Sequence, residues 1–474
     1  MKKILLSNIS TIYTFNDEDQ ILENYSILIE GNKISKISKE IKETLQSTEN
    51  VENTKSTKST EDMEVIDCTG LVALPGFVNT HHHLYQTLFR GIKEVQEKPL
   101  FPWLVGLYEF WKNITPEAVY YGAMVGFGEL VRTGCTLTSD HHYVFPNNQP
   151  STLIDEQIKA AKEIGIRFHA TRGSMSLGID QGGLPPMSVV QSESKILEDC
   201  HRLVSQYHDI DDYAMTRIAF APCSPFSVTK NLMIETRILA RELNVMMHTH
   251  LAETLDEEKF CIEKYGRRPF ELMEELEWVG KDVWFAHGIH LNDREIDNLQ
   301  GSGIAHCPSS NMKLNSGICR TTEIVRSKKG NLSIAVDGSA SNDGSNMLEE
   351  VKRAYLLNHL KYGVDGLNAY EILKIATRGG ADVLGRPDTG RLAIDKAADI
   401  ILFDLNKLEY AGCHDPLVSL VCLGNFSYTK MTIIDGKIVS RDGILCTVNE
   451  NHIFQNAHRL AQSIVSKERE SPKM

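Results

Sequence analysis

The stretch Leu74-Pro75-Gly76-Phe77-Val78-Asn79-Thr80-His81-His82-His83 runs from a short apolar segment straight into three consecutive histidines. The apolar segment, residues 74–80, is typical of a buried β-strand. Because side chains alternate along an extended backbone, His81 and His83 face one way and His82 faces the other. Two neutral imidazoles on one face supply half of a tetrahedral zinc site. A hydrogen-bonded structural cluster of histidines is the alternative at this point.

Further apolar runs of this kind follow and alternate with helical segments. The strand-like runs are residues 74–80, 135–140, 167–172, 217–222, 245–250, 283–287, 303–306 and 332–337, and the helix-like segments include 116–133, 151–164, 193–207, 231–243 and 368–384. Strands that alternate with helices pair in parallel, so the sequence predicts an α/β fold with a (β/α)8 TIM-like barrel. The active site of such a barrel lies at the carboxyl ends of its strands, where the polar residues of these runs are concentrated.

Both ends of the chain have a different pattern, made of strands alone. Short alternating segments occur in residues 1–41 and return after residue 390, which predicts a small β-sandwich domain built from both chain ends. We assign residues 1–74 and 391–448 to this sandwich, 75–390 to the barrel, and 449–474 to a C-terminal helix and tail. Residues 44–62 are mostly Ser, Thr, Lys, Glu and Asn, which indicates a flexible, solvated insert without a function of its own.

The composition excludes some kinds of binding partner and indicates the cellular compartment. The 474 residues carry 50 Lys and Arg against 63 Asp and Glu, a formal charge of −13, which argues against a nucleic-acid partner. No apolar run approaches the roughly 18 residues that a bilayer span needs, and the apolar stretch near Met1 is too short for a signal peptide. The ten cysteines are scattered singly, which favours free thiols in a reducing compartment. We therefore expect a cytoplasmic protein that binds neither nucleic acid nor membrane.

Further candidate metal ligands follow the later strands. The fifth run ends in His248-Thr249-His250-Leu251-Ala252-Glu253-Thr254, where His248 and His250 share a face and Glu253 suits an acid/base role. The sixth run ends at His287, the seventh at His306 and the eighth at Asp337. An aspartate that ends so apolar a run is costly unless it is paired or bound to a metal. Together these strand ends indicate one metal centre.

These motifs resemble those of the amidohydrolase superfamily, in its mononuclear deaminase branch. The resemblance rests on the opening stretch quoted above and on His250-Leu251-Ala252-Glu253-Thr254, Ala286-His287-Gly288, Cys307-Pro308-Ser309-Ser310-Asn311, Val336-Asp337-Gly338 and Lys396-Ala397-Ala398-Asp399-Ile400. It implies that the metal ligands are His81, His83, His250 and Asp337, and that the catalytic residues are Glu253, His287 and Asp337. No lysine stands where the binuclear members carry their bridging lysine, so we expect one divalent metal, zinc by default and iron as the alternative.

Within that branch the chain is similar to bacterial 8-oxoguanine deaminases and to triazine aminohydrolases. The carriers include His83-Leu84-Tyr85-Gln86, Leu100-Phe101-Pro102-Trp103, Asp140-His141-His142-Tyr143 and Thr171-Arg172-Gly173. The resemblance implies hydrolytic deamination of an amino-substituted N-heterocycle, with 8-oxoguanine as the first choice and urate and ammonia as products. Isoxanthopterin or another pterin, guanine, and an aminotriazine of the hydroxyatrazine type are alternatives. A non-catalytic scaffold on the same fold is the alternative from a different class. Relatives tend to assemble, which implies a homo-oligomer.

Six residues are candidates for substrate binding. Gln86 stands three residues beyond His83, as a purine-reading glutamine does in the guanine deaminases that the chain resembles there. Arg172 ends the third run and is a candidate for binding a ring carbonyl, or else for a salt bridge inside the barrel. Trp103 is a candidate for stacking on the ring, or else for local packing. Tyr143, Cys223 and His306 complete the set, and His141, His142 and His248 are expected behind the metal ligands.

Overall fold

The computed structural model describes residues 3–39, 41, 63–424 and 428–470. In this part of the chain the strands are β1 (Lys3–Tyr13), β2 (Ile21–Glu30), β3 (Lys33–Ser38), β4 (Met63–Asp67), β5 (Leu71–Pro75), β6 (Phe77–Asn79), β7 (Cys135–Ser139), β8 (Arg167–Ser174), β9 (Thr216–Pro222), β10 (Met246–Leu251), β11 (Val283–His287), β12 (Gly303–His306), β13 (Asn331–Ile334), β14 (Ile400–Asp404), β15 (Met431–Ile434), β16 (Lys437–Arg441) and β17 (Ile444–Leu445).

The helices of the same residues follow most of the barrel strands. The α-helices are α1 (Leu100–Trp111), α2 (Pro116–Arg132), α3 (Leu153–Ile164), α4 (Glu193–Tyr207), α5 (Lys230–Glu242), α6 (Leu255–Tyr265), α7 (Pro269–Glu275), α8 (Asp293–Asp297), α9 (Pro308–Lys313), α10 (Thr321–Ser327), α11 (Met347–Tyr362), α12 (Ala369–Lys374), α13 (Gly380–Val383), α14 (Pro416–Leu423) and α15 (Glu450–Glu470). A π-helical turn, Ile375–Gly379, joins α12 to α13, so the predicted helix 368–384 is three consecutive pieces.

Strands β6 to β13 pair in chain order as one eight-stranded parallel sheet. Its two edges meet where the Asp337 amide donates to the His81 carbonyl at 3.1 Å and where Thr80 Oγ1 and Ser333 Oγ lie 2.6 Å apart. The sheet is therefore a nearly closed barrel. Because these strands are buried on both faces, they are near-continuous apolar runs in the sequence. The predicted fold class, an α/β barrel with a second unit from the chain ends, is confirmed.

The first predicted strand, residues 74–80, is divided between the two sheets. Its beginning belongs to β5 in the sheet of the chain ends, and its remainder is the barrel strand β6. The chain changes sheet at Gly76, where an added Cβ would lie 1.9 Å from Thr136 Oγ1. Only a glycine permits this approach, so the divided strand depends on that residue.

The chain ends form a nine-stranded mixed sheet of their own, in the order β17-β16-β15-β14-β5-β1-β2-β3, with β4 pairing with β1. A separate apolar cluster that includes Ile4, Leu6, Ile400 and Ile433 lies beneath it. The sheet is tied to the barrel by Arg167 on β8, whose buried guanidinium donates to Asp399 Oδ2 at 2.7 Å. The predicted insert at residues 44–62 lies outside the described residues.

Helix α15 packs on the barrel through residues spaced as one face of a helix. Ile453, Ala457, Leu460 and Ile464 are buried, and the helix contacts α2. Among the described helices none is long and apolar enough to cross a membrane. All ten cysteines fall in the described residues, and none of them forms a disulfide.

Candidate active site

Four donor side chains meet at the carboxyl ends of the barrel strands. His81 and His83 follow β6, His250 lies in β10, and Asp337 follows β13. Asp337 Oδ1 is 3.4 Å from His81 Nε2 and 3.3 Å from His83 Nε2, and the Nε2 atoms of His83 and His250 are 3.2 Å apart. Residues as far apart along the chain as His81 and Asp337 thus direct their donor atoms at one point.

The hydrogen bonds behind the three imidazoles determine which ring nitrogen carries the hydrogen. Nδ1 of His83 is 2.8 Å from the His141 carbonyl, and Nδ1 of His250 is 2.6 Å from the Cys223 carbonyl. A carbonyl oxygen only accepts, so both Nδ1 atoms donate. Each Nε2 atom therefore presents a lone pair to the centre.

His81 reaches the same tautomer through a second histidine. His248 Nδ1 donates to the Trp284 carbonyl at 2.8 Å, so His248 Nε2 is an acceptor. His81 Nδ1 lies 2.8 Å from that acceptor and donates to it. His81 Nε2 is buried and has no hydrogen-bond partner among the described residues. The Nε2 lone pair of His81 therefore faces the centre and accepts no hydrogen bond from the described residues.

The charges of these groups suit a divalent cation. Burial lowers the pKa of His81 and His83 and lowers that of His250 to about 3, so the three rings are neutral at pH 7. A proton on His81, His83 or His287 stabilises the Asp337 carboxylate and holds its pKa well below its ordinary value despite its burial, so this carboxyl group is ionised. Three imidazole lone pairs and one carboxylate within contact of one another repel unless a cation lies between them. This donor set fits a divalent metal held by His81, His83, His250 and Asp337.

His287 differs from the three imidazoles in its orientation. It ends β11 in the left-handed region of the backbone, with φ 74°, and Asn311 Nδ2 donates to its Nδ1 at 3.0 Å. Its hydrogen is then on Nε2, which lies 3.5 Å from Glu253 Oε2 and 4.0 Å from Asp337 Oδ2. His287 therefore offers a hydrogen-bond donor beside the donor set.

Glu253 is a further ionisable side chain beside these histidines and Asp337. It is 4% exposed and its Oε1 accepts a hydrogen bond from Ser316 Oγ at 3.2 Å. Burial, with the negative charge of Asp337 as the next cause, raises the pKa of Glu253 well above its ordinary value. A carboxyl group with a raised pKa holds its proton to higher pH than an ordinary glutamate does, which suits general acid/base catalysis.

These polar groups line a cavity at the carboxyl ends of the barrel strands. Of the predicted substrate-binding residues, Gln86, Trp103, Tyr143 and Cys223 line this cavity. Neither Oε1 nor Nε2 of the buried Gln86 has a hydrogen-bond partner in the described part of the chain. An unpaired amide beside a cavity is costly, so Gln86 is poised for a ligand that both donates and accepts.

Two residues that we predicted at the pocket, Arg172 and His306, are not among the residues that line the cavity. The buried guanidinium of Arg172 donates to Asp199 Oδ2 at 2.6 Å and to Gln191 Oε1 at 2.9 Å, and it lies over the ring of Phe145. Arg172 thus forms the salt bridge that was its alternative interpretation. His306 is 1% exposed at the end of β12 and is not among the residues that line the cavity. Its burial lowers its pKa to about 3, so it is a neutral interior histidine.

The sequence analysis missed several residues that form the site. The cavity is also lined by Leu100, Leu104, Phe226, Leu314 and Ser341. Asn311 belongs to the motif of residues 307–311, and its side-chain amide orients His287. Ser316, which contacts Glu253, lies in an irregular segment after α9, where no periodic pattern distinguishes it. His248 and the His141 carbonyl accept hydrogen bonds from His81 Nδ1 and His83 Nδ1.

Comparisons with known proteins agree with this geometry. The model of the amidohydrolase family matches residues 72–439. The chain is 48% identical over 384 residues to the 8-oxoguanine deaminase of Pseudomonas aeruginosa, covering 79% of this chain and 85% of that protein. It is 36% identical over 413 residues to the hydroxydechloroatrazine ethylaminohydrolase of Pseudomonas sp. strain ADP, covering 85% of each. Among solved structures, the atrazine chlorohydrolase of Arthrobacter aurescens TC1 complexed with zinc matches with a TM-score of 0.89 at 30% identity, over 97% of this chain and 100% of that one.

Proposed function

The chain belongs to the amidohydrolase family and is a hydrolytic deaminase of heterocycles, and from that premise we propose that its substrate is 8-oxoguanine, which it converts with water to urate and ammonia. The observation that carries the proposal is the placement of Glu253 and the unpaired Gln86 amide on one cavity beside the four metal donors. The 48% identity to an 8-oxoguanine deaminase supports the choice of heterocycle.

We propose one zinc ion as the resident metal. Three neutral imidazoles and one carboxylate are a donor set that zinc favours, and a solved relative is complexed with zinc. A divalent cation in this position supplies Lewis-acid chemistry, lowering the pKa of water from 15.7 to about 7.

The residues around the cavity divide the proton transfers among themselves. The ionised Asp337 accepts a proton from the attacking water, and the Nε2–H of His287 orients that water by a hydrogen bond. The protonated Glu253 donates to the ring nitrogen beside the amino-bearing carbon, which makes that carbon electrophilic. After water has added, the deprotonated Glu253 takes the proton of the added hydroxyl group, so the carbonyl forms as the C–N bond to the amino group breaks. Ammonia leaves with the proton held by Asp337 or with the one that Glu253 has taken.

Gln86 provides the recognition step. Its amide carries one acceptor and two donor hydrogens, so it matches a lactam edge in which N–H and C=O stand side by side. Oxidised purines carry such edges, and so do pterins, guanine and hydroxylated triazines. The catalytic residues do not distinguish these heterocycles, because each has an amino-bearing carbon next to a ring nitrogen.

The test is a substrate panel on purified, metal-analysed protein. Ammonia release is measured with 8-oxoguanine, guanine, isoxanthopterin and hydroxyatrazine, together with zinc and iron content. We expect about one zinc per chain and the highest kcat/KM with 8-oxoguanine. Glu253→Gln and Asp337→Asn are expected to lose turnover, whereas Glu198→Gln, at an exposed position of α4, keeps it. Activity on triazines alone would overturn the choice of 8-oxoguanine, and near-normal turnover of Glu253→Gln would overturn the assignment of the acid.

A further inference from the structure

Glu257 is a buried carboxyl group to which the reaction described above gives no role. It lies in the first turn of α6 and is 0% exposed. Its Oε1 accepts a hydrogen bond from the Ala252 amide at 2.9 Å, and its Oε2 accepts one from the Glu253 amide at 2.8 Å. Both oxygens of one side chain thus hold two successive peptide groups of the segment that carries Glu253.

That segment needs to be held. Ala252 has φ 51°, in the left-handed region that a residue with a Cβ rarely adopts. This turn takes the chain out of β10 and into α6, and it directs Glu253 toward His287, 3.5 Å away. Without Glu257, two buried amides would lose their acceptors, and the Ala252 turn would lose the contacts that oppose its relaxation.

We propose that Glu257 is a positioning residue, which fixes the direction of the Glu253 carboxyl group by binding the amides of Ala252 and Glu253. This inference rests on the proposed function in that Glu253 is the general acid/base. Glu257 does not touch the cavity, so it acts on the reaction only through Glu253.

The chemistry of the contact explains why a carboxylate occupies the position. Two N–H donors side by side require two acceptor atoms, and a carboxylate has one on each branch. Glutamine keeps the length of the side chain but replaces one acceptor by an NH2 group, which then faces a backbone N–H. Aspartate keeps both acceptors but is one methylene shorter.

The experiment compares Glu257→Gln with wild type in the full-length, metal-loaded enzyme, using whichever heterocycle the panel shows to be best. We expect kcat to fall by about 10- to 100-fold, since a displacement near 1 Å of an acid/base group has an effect of that size. KM and metal content are expected to stay near their wild-type values, because the cavity wall and the four donors are unchanged. Glu257→Asp, which retains two acceptors, should recover part of kcat.

A matched control separates positioning from a general loss of stability. Glu295 is also buried, and its Oε2 accepts from the Asn292 amide at 2.8 Å at the start of α8. No residue of α8 lines the cavity, so Glu295→Gln should lower the melting temperature and leave kcat unchanged. Hydrogen exchange of the Ala252 and Glu253 amides should quicken in Glu257→Gln and not in the control.

The double variant with Glu253→Gln decides whether Glu257 acts through Glu253. If it does, adding Glu257→Gln to Glu253→Gln produces no further loss of kcat. If the two substitutions lower kcat by independent factors that multiply in the double variant, the inference is overturned. It is also overturned if Glu257→Gln has the kcat of wild type while Glu253→Gln is inactive. Full activity of Glu253→Gln would instead count against the proposed function, so the two failures are distinguishable.

Discussion

A substitution of His248 tests the metal centre while all four donor side chains remain in place. His248→Phe keeps an aromatic ring to stack on Trp284, where the two ring centroids lie 4.4 Å apart with planes 10° from parallel. It removes the acceptor that lies 2.8 Å from His81 Nδ1. We expect the variant to fold as wild type does and to bind its metal more weakly.

The size of the effect follows from the lost hydrogen bond. The buried His81 Nδ1–H is left without an acceptor, which costs about 1–3 kcal/mol. The metal-free protein can avoid this cost by moving the His81 hydrogen to Nε2, whereas the metal-bound protein cannot. At about 1.4 kcal/mol for each tenfold change, the metal dissociation constant should therefore rise by about 5- to 150-fold. If the hydrogen of His81 moves from Nδ1 to Nε2, the Nε2 lone pair is no longer available to the metal, and the affinity for the metal falls as well.

Competition with a chromophoric chelator measures the affinity. The control is His169→Phe, because His169 is buried near the same Trp284 ring, with centroids 5.7 Å apart, and is hydrogen-bonded to none of the four donors. Its affinity for zinc should equal that of wild type. An unchanged dissociation constant in His248→Phe would refute the tautomer assignment of His81, and with it the argument that His81 presents a lone pair.

Three further predictions concern other parts of the barrel. Gly338→Ala places a Cβ 2.0 Å from Gln86 Oε1, so KM should rise in steady-state kinetics while metal content is unchanged. Burial raises the pKa of Asp140 from 3.8 to about 7, so the folded state holds a proton that the unfolded state has released, and the free energy of unfolding falls as pH rises through that interval. Asp140→Asn should reduce this slope by up to about 1.4 kcal/mol per pH unit in urea denaturation. Arg172→Met removes the partner of Asp199 Oδ2 and leaves Arg202, whose Nε donates to Asp199 Oδ1 at 2.8 Å. It should therefore lower the free energy of unfolding by about 1–3 kcal/mol without altering KM, and a large increase in KM would restore Arg172 to the pocket.

The sequence predicts the barrel and the donor set because both depend on local pattern. A strand buried on both faces is a continuous apolar run, and a pair such as His81 and His83 shares a face whatever the rest of the chain does. The carboxyl ends of parallel strands meet at one end of a barrel, so His250 and Asp337 join that pair once the strands are recognised. The division of the first strand at Gly76 was missed, since the contact that requires the glycine is made with Thr136 on the neighbouring strand.

The pocket residues are harder to predict. The position of a residue at a strand end indicates where its side chain points but not which group that side chain contacts. Arg172 ends the third predicted strand, residues 167–172, as a ligand-binding residue would. In the structure it lies within β8, and Asp199 on α4 and Gln191 in the preceding loop accept hydrogen bonds from its guanidinium. Neither partner is part of a periodic pattern that leads to Arg172. A cationic side chain at a barrel strand end therefore needs its nearest carboxylate identified before a substrate is assigned to it.

The same reasoning separates histidines that the sequence treats alike. His250 and His287 end neighbouring strands, and both are buried. Nδ1 of His250 faces a carbonyl, whereas Nδ1 of His287 faces the amide nitrogen of Asn311. The first arrangement leaves a lone pair on Nε2 and the second leaves a hydrogen there. The atom that contacts Nδ1 thus decides whether each histidine offers a lone pair to a metal or donates a hydrogen bond. Asn311→Asp places a carboxylate, which only accepts, beside His287 Nδ1. This substitution should move the hydrogen of His287 to Nδ1 and leave a lone pair on Nε2.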